Sequence, residues 1–200
     1  DSIYPVAFGI IFLAVWQILC TLKVIPVFLM PSPIQIVKAL TEDFLLLMYH
    51  LVITLAESLI GLVLGVFLGF IFALLMDRFI NVYKTFYPFV IITQTIPTIA
   101  IAPLLVLWFG YDLLPKVILI VLVTFFPITI GLLESFKSAD SDEINLLKSM
   151  GASEFDIYKF IKIPSSMGKF FAALKISASY SVVGGVIAEW LGGFRGLGVY

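Results

Sequence analysis

The sequence predicts an all-α integral membrane protein, on three observations. Hydrophobic residues fill 62% of the 200 positions and charged residues 12%, whereas an average globular chain is about 45–50% apolar and about 25% charged. The mean hydropathy is +1.15. That apolar surface exceeds what a soluble core can bury, so the bilayer is its natural solvent. Finally, five stretches reach or approach the ~20 apolar residues a helix needs to cross the hydrocarbon.

Taken in order, the first stretch, Val6 to Leu22, is uncharged and ends at Lys23. Nothing basic precedes it, so it does not read as a convincing secretory signal, and Asp1 without an initiator Met suggests an expected start further upstream. The second, Leu51 to Met76, carries only Glu57 and stops at Asp77-Arg78. Its Gly61, Gly65 and Gly69 recur at spacing four, a small-residue face that lets another helix approach closely. The third, Phe86 to Phe109, holds Pro88, Pro97 and Pro103. Prolines inside a span need compensation by neighbours or a bend, so this segment is expected to be bent or broken. That suits a helix lining a path and equally a kinked packing helix. The fourth, Val117 to Leu133, lies between Lys116 and Glu134, and the fifth, Ile176 to Leu191, contains Gly184-Gly185 and Glu189. Residues 1–50 thus hold the first span and an external loop, and 51–200 the remaining four.

Several function classes drop out. A formal net charge of −1 shows no basic excess for nucleic acid. One cysteine, Cys20, permits neither an internal disulfide nor a thiolate metal cluster. One histidine, His50, leaves no two-histidine zinc motif, and no GxSxG elbow occurs, so catalytic and metal sites are expected to be absent. No GxxxxGK[ST] phosphate loop is present, so ATP would have to be bound elsewhere.

Two polar stretches remain. In Pro31-Ser32-Pro33-Ile34-Gln35, Ser32 can cap a helix, Pro33 fits its first turn and Gln35 completes a capping box. A short surface helix from Pro33 towards Glu42 is expected. Residues 137–175 form the one long polar loop, with six lysines and five carboxylates. Placing it inside, with Arg78 and Lys84, puts eight basic residues on that side against Lys23, Lys38, Lys116 and Arg195 outside, which sets the N-terminus in the cytoplasm. Within the loop, Asp140 before Glu143 and Ser153 before Asp156 mark two helix starts. Gly151 terminates the first helix after about Met150. The second is expected to end before Pro164 and to show an apolar face of Phe155, Tyr158, Ile161 and Ile157.

The run Asn145-Leu146-Leu147-Lys148-Ser149-Met150-Gly151-Ala152-Ser153, followed by Ile161-Lys162-Ile163-Pro164, resembles the cytoplasmic signature loop of ABC-importer permeases. That signature is an acidic-Ala-Ala triplet, a glycine four positions after it, then Ile-x-Leu-Pro. Gly151, Ile161 and Pro164 match in step and Ile163 replaces leucine conservatively, while Asn145-Leu146-Leu147 departs from the triplet. The likeness continues over nearly the whole chain. Pro31-Ser32-Pro33, Thr54-Leu55 with Gly61, Ile96-Pro97 through Pro103 to Phe109-Gly110, and Ala188-Glu189 before Gly196-Leu197-Gly198 are similar to nitrate/sulfonate/taurine-type permeases.

The resemblance implies a type I ABC importer permease fold. Five transmembrane helices of an expected six would be present, with a cytoplasmic coupling-helix loop between spans four and five. It also implies a homodimeric pore, an ABC ATPase subunit beneath each copy that binds the ATP, and an external solute-binding protein. The ionisable groups within spans, Glu57 and Glu189, join Pro97 and Pro103 as candidates for the translocation path. Structural pairing at helix contacts is the competing reading of both carboxylates. If either faced the lumen, its negative field would favour a substrate with amino donors over nitrate or sulfonates. Glu57-Ser58-Leu59-Ile60-Gly61, Met76-Asp77 and the Phe109-Gly110-Tyr111 to Leu114-Pro115-Lys116 stretch look like permeases for thiamine pyrimidine precursors. The expected substrate is therefore an aminopyrimidine, with sulfonate, taurine or nitrate as alternatives. A stand-alone secondary transporter or channel is the rival from another class.

Overall fold

The computed structural model describes residues 3–24, 26 and 28–200, and no strand occurs among them. The chain forms two compact units that divide after Tyr49. In the first, α1 (Ile3–Thr21) is an uncharged apolar helix and α2 (Pro33–Glu42) follows it. The expected capping box is formed: Gln35 N–H donates to Ser32 Oγ at 3.3 Å, and Ser32 N–H to Gln35 Oε1 at 2.8 Å. Gln17 ties the two helices by accepting the Ile34 N–H at 3.3 Å. No side chain of α2 is buried, and Ile34, Val37 and Leu40 are exposed beside its Lys38–Glu42 pair.

The second unit is built around α6 (Leu113–Lys137), whose Leu119, Ile120, Ile128, Leu132, Leu133 and Phe136 are all buried. The long α3 (Phe44–Arg78) lies along it on the predicted glycine face. A Cβ added at Gly61 would strike Ile120, one at Gly65 Thr124, and one at Gly69 Ile128. Each partner lies 59 residues further along the chain, the same separation as the Glu57–Lys116 ion pair. A constant offset means that α3 and α6 run parallel, in step, at four successive turns. Close backbone approach gains dispersion contacts that a lipid-facing leucine would not.

The next helices, α4 (Ile80–Thr95) and α5 (Thr98–Phe109), meet at a bend of 103°. Pro97 sits at the break, whereas Pro88 and Pro103 lie inside helices that continue past them. The third apolar stretch is thus broken, as its prolines predict.

The inner loop carries α7 (Ser141–Ser149) and the one-turn α8 (Glu154–Ile157). A π-helical turn, Tyr158–Lys162, joins α8 to α9 (Ile163–Gly192) without interruption. Here the structure corrects the sequence reading, which ended the second loop helix before Pro164 and began the last span at Ile176. Proline normally breaks a helix by losing its N–H bond and clashing with the carbonyl four residues back. The π turn just before Pro164, in which Ile163 N–H donates to Tyr158 O, loosens that turn and lets the helix pass through. The contacts Gly131–Ala173 and Val123–Gly184 show α9 antiparallel to α6.

Among the described residues, four helical stretches are long and apolar enough to cross a membrane: α1, α3, α6 and the joined α8–α9. The bent α4–α5 pair makes the fifth if it is taken as one span.

Candidate functional site

The loop between α6 and α9 is a rigid two-helix bracket. Asp140 Oδ1 accepts the Asp142 N–H at 2.8 Å to start α7. Gly151 ends that helix with φ +82, a conformation glycine adopts without strain. Ser153 and Asp156 form the second capping box, with bonds of 3.3 and 2.9 Å. The expected apolar face of α8 divides. Ile157 and Ile161 are buried and Tyr158 packs on the Ala73–Ile128–Leu132–Phe136 cluster, while Phe155 is exposed. With exposed Leu146 and Met150, Phe155 gives the bracket an outward apolar surface.

The bracket is bolted to the inner end of α3. Asp77 accepts from Tyr158 Oη at 2.5 Å and from Lys162 Nζ. Arg78 pairs with Glu154 at 3.2 Å, and Glu154 also meets Lys148 of α7 at 3.9 Å.

A cavity of about 780 Å³ opens between the α4–α5 break, α6 and α9. Its wall is mostly apolar. The polar exceptions are Thr93, Gln94 and Thr98 at the break, Tyr180 and Lys169 on α9, and Glu134 on α6.

At the opposite end from the bracket lies a buried polar cluster. Glu189, fully buried, accepts from Thr54 Oγ1 at 2.7 Å and from the Gly198 N–H at 2.8 Å. The Leu197 N–H donates to Thr54 Oγ1 at 2.9 Å and the Gly196 N–H to His50 Nδ1 at 2.9 Å. Three successive amides, each with its own acceptor on α3 or α9, thus clasp the 196–198 segment onto these two helices.

The sequence profile of the family described as "binding-protein-dependent transport system inner membrane component" matches residues 61–200. The chain belongs to this family. It is 38% identical to the formylaminopyrimidine transport permease protein of Halalkalibacterium halodurans, over 100% of this chain and 80% of that one. A probable ABC transporter permease protein of Haemophilus influenzae is 34% identical, covering 94% and 77%. The taurine transport system permease protein of Escherichia coli is 28% identical, covering 94% and 71%. The protein is an ABC importer permease of the bacterial plasma membrane, which removes the secondary transporter and channel as readings.

In this permease the signature-loop residues serve different ends. Asn145 and Leu146 are exposed on α7, and Leu147 and Ala152 are half-buried at the joint around Gly151. Ser153 is the cap, Ile161 is buried, Ile163 packs on the inner core, and Pro164 is exposed after the π turn. Of the four path candidates, none is itself a lining residue, and Pro97 stands in the chain between the cavity-lining Ile96 and Thr98. Glu57, Glu189 and Pro103 do not border the cavity. Glu57 Oε1 accepts from Lys116 Nζ at 2.7 Å and Glu189 is capped by the clasp, so both carboxylates are engaged in helix packing.

Sequence reasoning missed Lys116, counted as a flank but buried in the first turns of α6, and the Asp77–Tyr158–Lys162 group. A signal existed for the latter: Tyr158 and Lys162 are four apart and share a helix face. Nothing in the sequence paired them with Asp77.

Proposed function

We propose that this permease imports a formylaminopyrimidine-type thiamine precursor, driven by a separate ABC ATPase that docks on the α7–α8 bracket. The observation that carries the substrate is the 38% identity along the whole chain to a permease named for that compound. The cavity supports it. Gln94 offers an amide donor and acceptor, Thr93 and Thr98 add hydroxyls, and Phe126 and Tyr180 supply ring faces for a flat heterocycle. The lining cation, Lys169, donates to Ser138 at 3.3 Å and a carboxylate, Glu134, lines the same cavity, which is poor provision for a nitrate or sulfonate. Glu57 and Glu189 stand outside this cavity, and the carboxylate in its wall is Glu134.

Membership of the family supports the remaining partners of this proposal. A second copy of the chain closes the open side of the cavity, a solute-binding protein delivers substrate to the outer face, and lipid surrounds the exposed apolar helix faces. ATP is bound and hydrolysed on the ATPase in this reading. The bracket is suited to the ATPase because packed helices pass on a rigid-body displacement that a loose loop would absorb.

The test is uptake of labelled formylaminopyrimidine, taurine and nitrate into cells with and without this permease. Formylaminopyrimidine uptake that requires the chain and falls in Gln94→Ala is the expected result. Uptake of taurine or nitrate alone overturns the substrate assignment.

A further inference from the structure

The cavity and the bracket leave a mechanical question. The cavity wall is drawn from α4, α5, α6 and α9, and none of it comes from α3. Yet α3 is in step with α6 over four turns and forms the clasp at its other end. A displacement of the bracket that moved α9 alone would shear it against this assembly.

One small group joins the three parts. Asp77 is in the last turn of α3 and its side chain is 6% exposed. Its two donors, Tyr158 and Lys162, are the first and last residues of the π turn between the bracket and α9. Tyr158 also meets Phe136 of α6 edge-on at 5.9 Å. The π turn is the weak point of an otherwise continuous helix, because its i→i+5 bonds are rare and less well packed than α-helical ones. Left alone, it would bend under load. Both ends of the turn are held by one buried carboxylate, a brace against that bending.

We propose that Asp77 is a positioning residue for energy coupling: by holding Tyr158 and Lys162 at once, it stiffens the π turn so that a displacement of the α7–α8 bracket moves α3 and α9 together and reshapes the cavity. The inference rests on the bracket being the ATPase docking handle. Asp77 itself touches neither substrate nor ATP.

The experiment uses the whole transporter, purified with its co-expressed ATPase and placed in liposomes. Cys20 is replaced by serine, and a reporter cysteine is placed at Ala172 on the cavity wall. Two quantities are read: ATP hydrolysis, and the change in maleimide labelling of the reporter when ATP is added. Asp77→Asn is expected to keep hydrolysis near the parental rate. It should reduce the ATP-dependent labelling change by about tenfold, a typical size for coupling between sites. Asp77→Glu should restore most of it. Tyr158→Phe, which removes one hydroxyl, should give a smaller loss of the same kind and serves if Asp77→Asn does not assemble.

An unchanged labelling response in Asp77→Asn, or in Tyr158→Phe and Lys162→Met together, overturns the proposal. So does a parallel fall of hydrolysis and response, not rescued by glutamate, which marks a purely structural role. A parental transporter whose ATPase fails to co-purify, or whose reporter ignores ATP, instead overturns the handle itself before any substitution is made.

Discussion

Lys116 Nζ lies 2.7 Å from Glu57 Oε1, with the two side chains only 7% and 10% exposed. The other oxygen, Glu57 Oε2, has no hydrogen-bond partner among the described residues. Removing one member of a buried pair strands the other, typically at about 3–5 kcal/mol, whereas replacing both with apolar side chains is near neutral. Lys116→Met is therefore expected to lower the thermal midpoint of the detergent-purified permease sharply. The double variant Glu57→Leu/Lys116→Met should recover most of the loss.

At Gly65 an added Cβ would stand 3.1 Å from Thr124 Cβ and 3.3 Å from the Phe125 backbone nitrogen. The helices would have to separate, which costs about 1–3 kcal/mol in a well-packed contact. Gly65→Ala should destabilise the permease in the same thermal assay. Gly168→Ala, where nothing lies within 4 Å, should not.

Gly196 has φ +115, and a side chain there would run into the Glu189 carboxylate. Gly196→Ala is expected to release the clasp. A cysteine at Leu197, whose amide donates to Thr54, should then react with an impermeant maleimide several times faster than in the parent.

The bracket should face the cytoplasm. A cysteine at exposed Ser149, in a background where Cys20 is serine, is expected to resist impermeant reagents on intact cells and to react in inside-out vesicles. A cysteine at exposed Phe194 should behave oppositely. Ready labelling of Ser149→Cys on intact cells would reverse the orientation.

Gly151 joins α7 to α8 at φ +82 with open space around it. A larger residue meets no clash but costs about 1–2 kcal/mol of left-handed backbone strain and tilts one helix of the bracket. Gly151→Trp is expected to leave expression intact while separating ATP hydrolysis from transport, measured in liposomes with the ATPase present.

Local signals were legible in the residues themselves. Ser32 with Gln35, Ser153 with Asp156, Gly151 and Pro97 each act within one turn of chain, and each appears where the sequence places it. The glycine face of α3 was legible too, though not its partner. Long-range pairings were hidden. Nothing local connects Asp77 with Lys162, 85 residues away, or Thr54 with Glu189, 135 away. The two span carboxylates stand out by hydropathy, but hydropathy cannot tell a helix contact from a lumen. Pro164 misled because a rule for α-helices does not cover a π turn.

The glycine stripe of α3 has a consequence of its own. Three evenly spaced notches facing three evenly spaced side chains look alike after a slide of four residues, roughly 6 Å along the axis. Dispersion alone would barely distinguish the two settings. A slide of one notch would leave Lys116 facing Gly61 or Ile53 rather than a carboxylate, so the single charged rung indexes the ratchet and permits one setting only.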